Sequence, residues 1–173
     1  MKFSTTFVAI SALVAGVTAD YATVKSDIQK IQTDVAGLYA QLKNTQGTSY
    51  SEALAIDKLS KQTVTDINQA NTDAKAVSSV TSAQASALLS ILSSTYTNVS
   101  AASKRLIALE PAFKKLGVAG IAKTDVGNLA TATKTFGATL VSKAPSAQKS
   151  SASALASKYN AALASAVAAY SSD

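Results

Sequence analysis

Three aspartates near the start of the chain have a spacing with which carboxylates could do chemistry. Asp20, Asp27 and Asp34 recur every seven residues, so a helix would carry them along one face. Carboxylates grouped in this way can hold a metal ion or act as general acid and base. Lys30 stands between two of them, which favours instead a solvated face with exposed ion pairs. We therefore predict no metal site and no catalytic residue here.

The residue types used most often in catalysis are missing from the chain. It contains no His and no Cys, which removes the commonest general base, the usual zinc ligands and thiol chemistry. The many Ser residues lack the Gly-x-Ser-x-Gly turn of a hydrolase nucleophile, and no glycine-rich phosphate loop occurs. The sequence therefore predicts a protein that is not an enzyme and needs no cofactor.

The first 19 residues have the layout of a cleavable secretory signal. Lys2 precedes a mostly apolar stretch, and Val17-Thr18-Ala19 supplies small residues before a cleavage site. The polar residues within the stretch argue against a membrane-spanning helix, and no second apolar run of membrane length follows. We predict a signal peptide at 1–19 and a single domain at 20–173, secreted to the extracellular space without a transmembrane segment.

The charge distribution leaves two interpretations of the C-terminal half open. The net charge is +6, and the excess of Lys and Arg over Asp and Glu lies after residue 103. A basic half suits an acidic partner, lipid head groups or a carboxylate ligand, but solvated Lys on helix surfaces is the commoner case. Nucleic acid is not an expected partner, because the chain has one Arg and no clustered aromatics.

Apolar residues recur at helical spacing over the whole mature chain and predict five helices. Their predicted ranges are Asp20–Asn44, Tyr50–Val77, Ala83–Leu109, Thr124–Lys143 and Ala147–Tyr170. The stretch from Pro111 to Gly117 is predicted to be a connector, because the residue before a proline is disfavoured in a helix. Short breaks between long helices favour antiparallel neighbours. The predicted fold is all-α, an antiparallel up-and-down bundle of four or five helices.

The third predicted helix carries the widest apolar surface. Leu88, Leu89, Ile91 and Leu92 span an arc of roughly 160°, so this helix is predicted to be central. The second helix places small residues at several inward positions, which indicates close helix approach or an incompletely filled interior. Such a bundle could hold an acyl chain between its helices. The alternative is a dry core packed closely through Ala.

Three stretches of the chain resemble one protein family. They are PAFKKLGVAGIAKTDVGNLATATKTFGATLVSKAP, DIQKIQTDVAGLYAQL and the run ALLSIL, and they resemble the fungal hydrophobic surface binding protein A family, also called the cell-wall galactomannoprotein family. The resemblance spans about residues 22–170. It implies a helical bundle that adsorbs to hydrophobic surfaces or binds fatty acids between its helices, and it implies no catalytic residues.

The lipid site implied by the resemblance lies among apolar side chains of the inner helices. The candidate residues are Leu88, Leu92, Leu106, Phe113, Leu116, Phe136 and Leu140. Lys114 or Lys115 could meet a carboxylate head group, and an exposed position is the alternative for both. The leading prediction is a non-catalytic protein that binds a fatty acid, another lipid or a hydrophobic surface.

A structural or antigenic cell-wall mannoprotein is the alternative function. It rests on the abundant Ser and Thr residues and on the sequon Asn98-Val99-Ser100, which predicts glycosylation at Asn98 where that side chain faces solvent. Association with the cell wall belongs to this alternative. A secreted hydrolase is a further candidate partner, which the protein would assist at an oily interface.

Overall fold

The computed structural model describes residues 20–172, and within that range it contains five α-helices and no strand. The helices are α1 (Tyr21–Asn44), α2 (Tyr50–Ala76), α3 (Ser82–Leu116), α4 (Ala119–Lys143) and α5 (Ser146–Ala169). The predicted all-α bundle is therefore confirmed, with five helices. The predicted signal peptide at 1–19 lies outside the described residues.

Local capping residues determine where the first three helices begin. Asp20 and Ser49 accept hydrogen bonds from backbone N–H groups of the first turns of α1 and α2, which satisfies donors that a helix start leaves unpaired. Thr81 and Gln84 form a reciprocal capping box at the start of α3. These signals lie within a few residues of the helix ends, so the predicted starts of these helices are close to the observed ones.

The predicted end of the third helix at Leu109 is wrong, because α3 continues through Pro111 to Leu116. Proline removes a backbone donor from the helix. However, Leu109 and Phe113 are each only 2% exposed, and burying two large apolar side chains outweighs the loss of one hydrogen bond. Helix α3 ends before Gly117, whose φ of 78° is a left-handed conformation that suits glycine.

The fourth helix begins at Ala119, ahead of the predicted start at Thr124. The left-handed turn at Gly117 leads into α4 within two residues, so no separate loop follows α3. The Thr124 hydroxyl donates to the carbonyl of Gly120 inside the helix, at 3.0 Å. The predicted connector between residues 111 and 117 is thus the last turns of α3.

The five helices form a closed ring, in the order α1, α2, α4, α5, α3 and back to α1. The consecutive pairs α1–α2 and α4–α5 pack antiparallel, as short connections predict. The other three seams, α2–α4, α3–α5 and α1–α3, join parallel helices, because each pairs helices that are two apart in the chain and therefore run in the same direction. Arg105 of α3 illustrates one parallel seam: its guanidinium donates to the carbonyls of Leu42 and Thr45 at the end of α1.

The prediction that the third helix is central is wrong. In the ring, α3 packs mainly against α1 and α5, and only slightly against α4. The apolar arc of α3 is wide because part of it faces the middle of the ring and the rest faces the two neighbouring helices, α1 and α5. We call the end that carries the α1–α2 and α3–α4 connections the upper end, and the end that carries the α2–α3 and α4–α5 connections the lower end.

Two apolar clusters fill the ring at different heights. The upper cluster includes Leu42, Leu109, Phe113, Val126 and Tyr170. The lower cluster includes Ile28, Ile67, Val99, Phe136 and Leu163. Among the described residues, no helix combines the length and the apolar character that crossing a bilayer requires.

Candidate apolar binding cavity

A cavity of about 120 Å³ occupies the middle of the ring, and all five helices contribute to its wall. This volume is roughly ten times what one water-sized sphere needs. The cavity is elongated along the bundle. Its α3 wall extends from Leu89 to Leu106, which at the helical rise per residue is about 25 Å. A space of this shape differs from the small voids that imperfect packing leaves.

The wall of the cavity offers hydrocarbon and almost no free polar group. The hydroxyls of Thr63 and Thr95 donate to carbonyls one turn earlier in their own helices, at 2.8 and 2.9 Å. The Tyr159 hydroxyl donates to the carbonyl of Leu92 at 2.7 Å. Within residues 20–172, no charged side chain lines the wall. Because these hydroxyls already have partners, the cavity favours an apolar guest over water.

The two ends of the cavity differ in exposure. At the upper end the wall residues Leu42, Leu106 and Val126 are buried. At the lower end Leu89 and Leu140, with Leu155 of α5, are partly exposed. The cavity is therefore closed above and most accessible below, near the connection between α4 and α5.

Tyr159 of α5 and Tyr170, the residue that follows α5, hold this helix against α3. Tyr159 packs edge-on against Tyr96, with ring centroids 5.4 Å apart, and burial raises its pKa well above the usual value. The Tyr170 hydroxyl donates to the carbonyl of Leu106 at 2.7 Å. These two hydrogen bonds join α3 and α5 at heights that span most of the cavity length.

Four of the seven predicted lipid-site residues lie on the cavity wall, namely Leu92, Leu106, Phe136 and Leu140. The other three lie elsewhere in the core. Leu88 belongs to the lower cluster, Phe113 is buried in the upper cluster, and Leu116 packs against the upper cluster from its edge. Leu89, the neighbour of Leu88, lines the cavity instead.

The predicted polar contacts lie away from the cavity. Lys114 pairs with Glu110, with Nζ and Oε1 3.8 Å apart, and Lys115 is exposed. Both are at the upper, closed end of the bundle. Asn98 lies in the middle of α3 and is partly exposed.

The sequence interpretation missed the contribution of α2 and α5 to the cavity wall. Thr63 of α2 and Leu155 of α5 line the cavity, and neither is among the predicted site residues. Small residues on the wall, including Gly137 and Ala152, leave the space that the cavity occupies. Small inward residues are predicted only for the second helix, so that prediction does not extend to Gly137 of α4 or Ala152 of α5.

The predicted ion pair of Lys30 is present, with Nζ 3.7 Å from Oδ2 of Asp34, but the interpretation of the heptad aspartates as one solvated face is wrong for two of them. Asp20 is exposed and caps α1. Asp27 and Asp34 are partly buried in the α1–α2 seam, where burial and then the neighbouring carboxyls of Asp73 and Asp66 raise the pKa of each. Among residues 20–172, no group of three or more His, Cys, Asp or Glu could hold a metal ion.

Comparison with known proteins finds one matching family and several solved structures that share the fold and contain a bound fatty acid. The profile described as hydrophobic surface binding protein A matches residues 21–142. No curated protein matches the chain. The crystal structure of AfMP4p in complex with palmitic acid shares 26% identity, covers 87% of this chain and 99% of its own, and has a TM-score of 0.82.

Two domains of the Penicillium marneffei MP1 protein share the fold at lower identity. Ligand binding domain 2, complexed with multiple arachidonic acids, is 15% identical, covers 91% of this chain and 99% of its own, and has a TM-score of 0.82. Ligand binding domain 1, complexed with arachidonic acids, is 17% identical, covers 87% and 98%, and has a TM-score of 0.70.

Proposed function

This chain belongs to the hydrophobic surface binding protein A family, and from that premise we propose that it is a secreted, non-catalytic protein that holds one fatty-acid-like molecule in its central cavity. The observation that carries the proposal is the apolar cavity of about 120 Å³ enclosed by all five helices. The palmitic acid complex of AfMP4p supports the same ligand class.

In the proposed complex the acyl chain extends along the bundle axis and contacts Leu92, Leu106, Phe136 and Leu140. Its carboxyl group lies at the lower end, because an unpaired charge is costly in an apolar interior and no wall residue would compensate it. Gln148 stands one helical turn beyond the wall residue Ala152, and its buried Oε1 has no hydrogen-bond partner, so it can accept a hydrogen bond from a protonated carboxyl group but not from a carboxylate. We assign the head group to this end of α5.

Adsorption to hydrophobic surfaces is a second candidate function, and one observation favours it. Among the described residues, the exposed large hydrophobic side chains are Tyr50, Leu54 and Ile121. All three lie in the first turns of α2 or α4, at the upper end. An apolar group of this kind suits contact with an oily surface. Secretion through the signal at 1–19 and glycosylation at Asn98 stay predictions.

Titration with saturated fatty acids of decreasing length tests the proposed function. We expect saturable binding that weakens by about fifteenfold for every two CH₂ groups removed, because each buried CH₂ contributes about 0.8 kcal/mol. Leu92→Asp should weaken palmitate binding at least about tenfold, since it places an unpaired carboxylate on the apolar wall.

The matched control for this titration is Ser93→Asp, which adds the same charge at the neighbouring exposed position and should bind as the wild type does. Circular dichroism establishes that both variants are helical. A helical Leu92→Asp variant with wild-type affinity, or binding independent of chain length, would refute an acyl chain in this cavity.

A further inference from the structure

Two hydroxyl groups on the cavity wall have no partner in the protein. Ser103 of α3 and Thr133 of α4 both line the cavity, and within the part of the chain that the structure describes neither side chain makes a hydrogen bond. They differ in this from Thr63, Thr95 and Tyr159, whose hydroxyls donate to backbone carbonyls. The cavity wall therefore combines hydrocarbon with two free hydroxyls.

The usual helical partner of a Ser or Thr hydroxyl is not used at these two positions. The hydroxyls of Thr131 and Thr135, on either side of Thr133 in the sequence, donate to carbonyls one turn earlier in α4, at 2.9 and 3.0 Å. Such bonds to the preceding turn are common for Ser and Thr inside helices. The side chains of Ser103 and Thr133 leave this bond unmade, so their hydroxyls are available to another molecule.

Ser103 is the more enclosed of the two residues, with only 6% of its surface exposed. The unpartnered side-chain oxygens that protein atoms enclose include Oγ of Ser60 but not Oγ of Ser103. The Ser103 hydroxyl therefore borders open space, and because the residue has so little contact with solvent, that space is the cavity. A buried hydroxyl without a partner is unfavourable, so a guest that supplies a partner gains affinity here.

The two hydroxyls lie at about the same height in the ring. Ser103 precedes the turn at Gly117 by 14 residues, and Thr133 follows it by 16, which places them about 21 and 24 Å below that turn at the helical rise per residue. Their helices, α3 and α4, both pack against α5. The cavity is narrow, since about 120 Å³ extends over a length of about 25 Å. An acyl chain that extends along the cavity therefore passes both hydroxyls.

The hydroxyl pair lies well inside the cavity, above its accessible lower end. Ser103 is 14 residues above the wall residue Leu89, and Thr133 is 7 residues above Leu140, so the pair lies about 10–21 Å from the opening. An acyl chain of palmitate length spans at least about 15 Å, because two such layers form the hydrocarbon core of a bilayer, about 30 Å thick. With the head group at the opening, the pair meets the half of the chain that is remote from the head group.

A hydroxyl group on the acyl chain would satisfy both wall hydroxyls. A hydroxyl has one donor and two acceptor lone pairs, so it can accept a hydrogen bond from Ser103 and donate one to Thr133, or the reverse. A plain hydrocarbon chain supplies neither partner. A carboxylate cannot donate, and it carries a charge that the uncharged wall does not pair. The chemistry at this height therefore favours a neutral hydroxyl.

We propose that Ser103 and Thr133 form an internal polar subsite that selects long-chain fatty acids with a hydroxyl on the half of the chain remote from the carboxyl group. The inference rests on the proposed function and specifies the ligand class of the same cavity. The apolar wall binds the hydrocarbon, the carboxyl group stays at the lower end, and the subsite recognises the position of the chain hydroxyl. Palmitic acid fills the same cavity but leaves the subsite unused.

Titration with positional isomers of hydroxypalmitic acid tests the subsite. The reference is 2-hydroxypalmitic acid, whose hydroxyl lies beside the carboxyl group, and the test ligands are 10-hydroxypalmitic and 16-hydroxypalmitic acid. We expect the better of the two test ligands to bind at least about tenfold tighter than the reference, because its hydroxyl gains two hydrogen bonds inside the cavity. Without a subsite the order is reversed, since a chain hydroxyl would be buried against hydrocarbon.

The double variant with Ser103→Ala and Thr133→Val removes both hydroxyls and nearly preserves the shape of the wall. In this variant we expect the better test ligand to bind no tighter than 2-hydroxypalmitic acid. Ser103→Ala alone should reduce the advantage, and it replaces the double variant if that variant does not fold. The matched control carries Ser93→Ala and Thr131→Val, the same changes at exposed positions of the same helices, and should keep the wild-type preference.

Three results would count against these proposals in different ways. Equal affinity for the isomers, or an advantage that persists in the double variant, would overturn the subsite and leave the fatty-acid cavity in place. A palmitate affinity at least about tenfold lower in the double variant would also overturn the subsite, because the hydroxyls would then bind the head group and not a chain hydroxyl. Absence of saturable binding of palmitate and of every isomer would instead overturn the proposed function.

Discussion

Filling the cavity with two leucines is expected to weaken palmitate binding about a hundredfold or more while the protein stays as stable as the wild type. Ala102→Leu and Thr133→Leu both add methyl-bearing side chains at wall positions of α3 and α4, next to a cavity of only about 120 Å³. The added side chains bury new apolar surface without displacing packed neighbours, which offsets the strain of insertion.

The matched control for cavity filling carries Ala164→Leu and Thr131→Leu. These residues lie on α5 and α4 but are exposed, so the control has the same change in composition and an open cavity. Palmitate titration and thermal unfolding of both double variants provide the comparison. A stable filled variant that binds palmitate as well as the control does would show that the ligand lies outside the ring.

Truncation of two phenylalanines should separate the cavity from the rest of the core. Phe113 and Phe136 are 2% and 5% exposed, so Phe→Ala at either site should cost about 3–5 kcal/mol of unfolding free energy. Only Phe136 lines the cavity. We expect Phe136→Ala to weaken palmitate binding about tenfold through lost contacts, and Phe113→Ala to keep the affinity of its folded fraction within about twofold.

Urea unfolding measures the two stabilities, and palmitate titration at low temperature measures the two affinities. Phe→Leu at the same positions is the milder pair, for use if an alanine variant is unfolded. Equal weakening of binding by the two truncations, or a larger effect of Phe113→Ala, would contradict the proposed position of the binding site.

The sequence predicted the parts of the fold that depend on neighbours along the chain. Asp20 and Ser49 act within the first turn of a helix, and the apolar stripe of α1, from Val24 to Leu42, reflects helical periodicity alone. Pro111 is the counterexample. The local rule predicts a helix end there, but Leu109 and Phe113 pack into the upper cluster and keep the helix continuous.

The candidate site could be predicted only in part, because periodicity identifies inward residues but not what they face. Leu88 and Leu89 are adjacent on α3, yet one packs in the lower cluster and the other lines the cavity. The ring order α1, α2, α4, α5, α3 has no local signal either. Without that order, the bridge that Lys30 forms between Asp34 of α1 and Asp66 of α2 could not be predicted from their positions in the sequence.

Native mass spectrometry of the mature protein, purified without detergent and titrated with palmitic acid, tests the central cavity most directly. The proposed function predicts saturable uptake of one acyl chain per protein, or one co-purified lipid of that class, and a ligand-free mass for the variant with Ala102→Leu and Thr133→Leu. A wild-type protein that stays ligand-free throughout the titration, or that takes up palmitate without saturation, would contradict it.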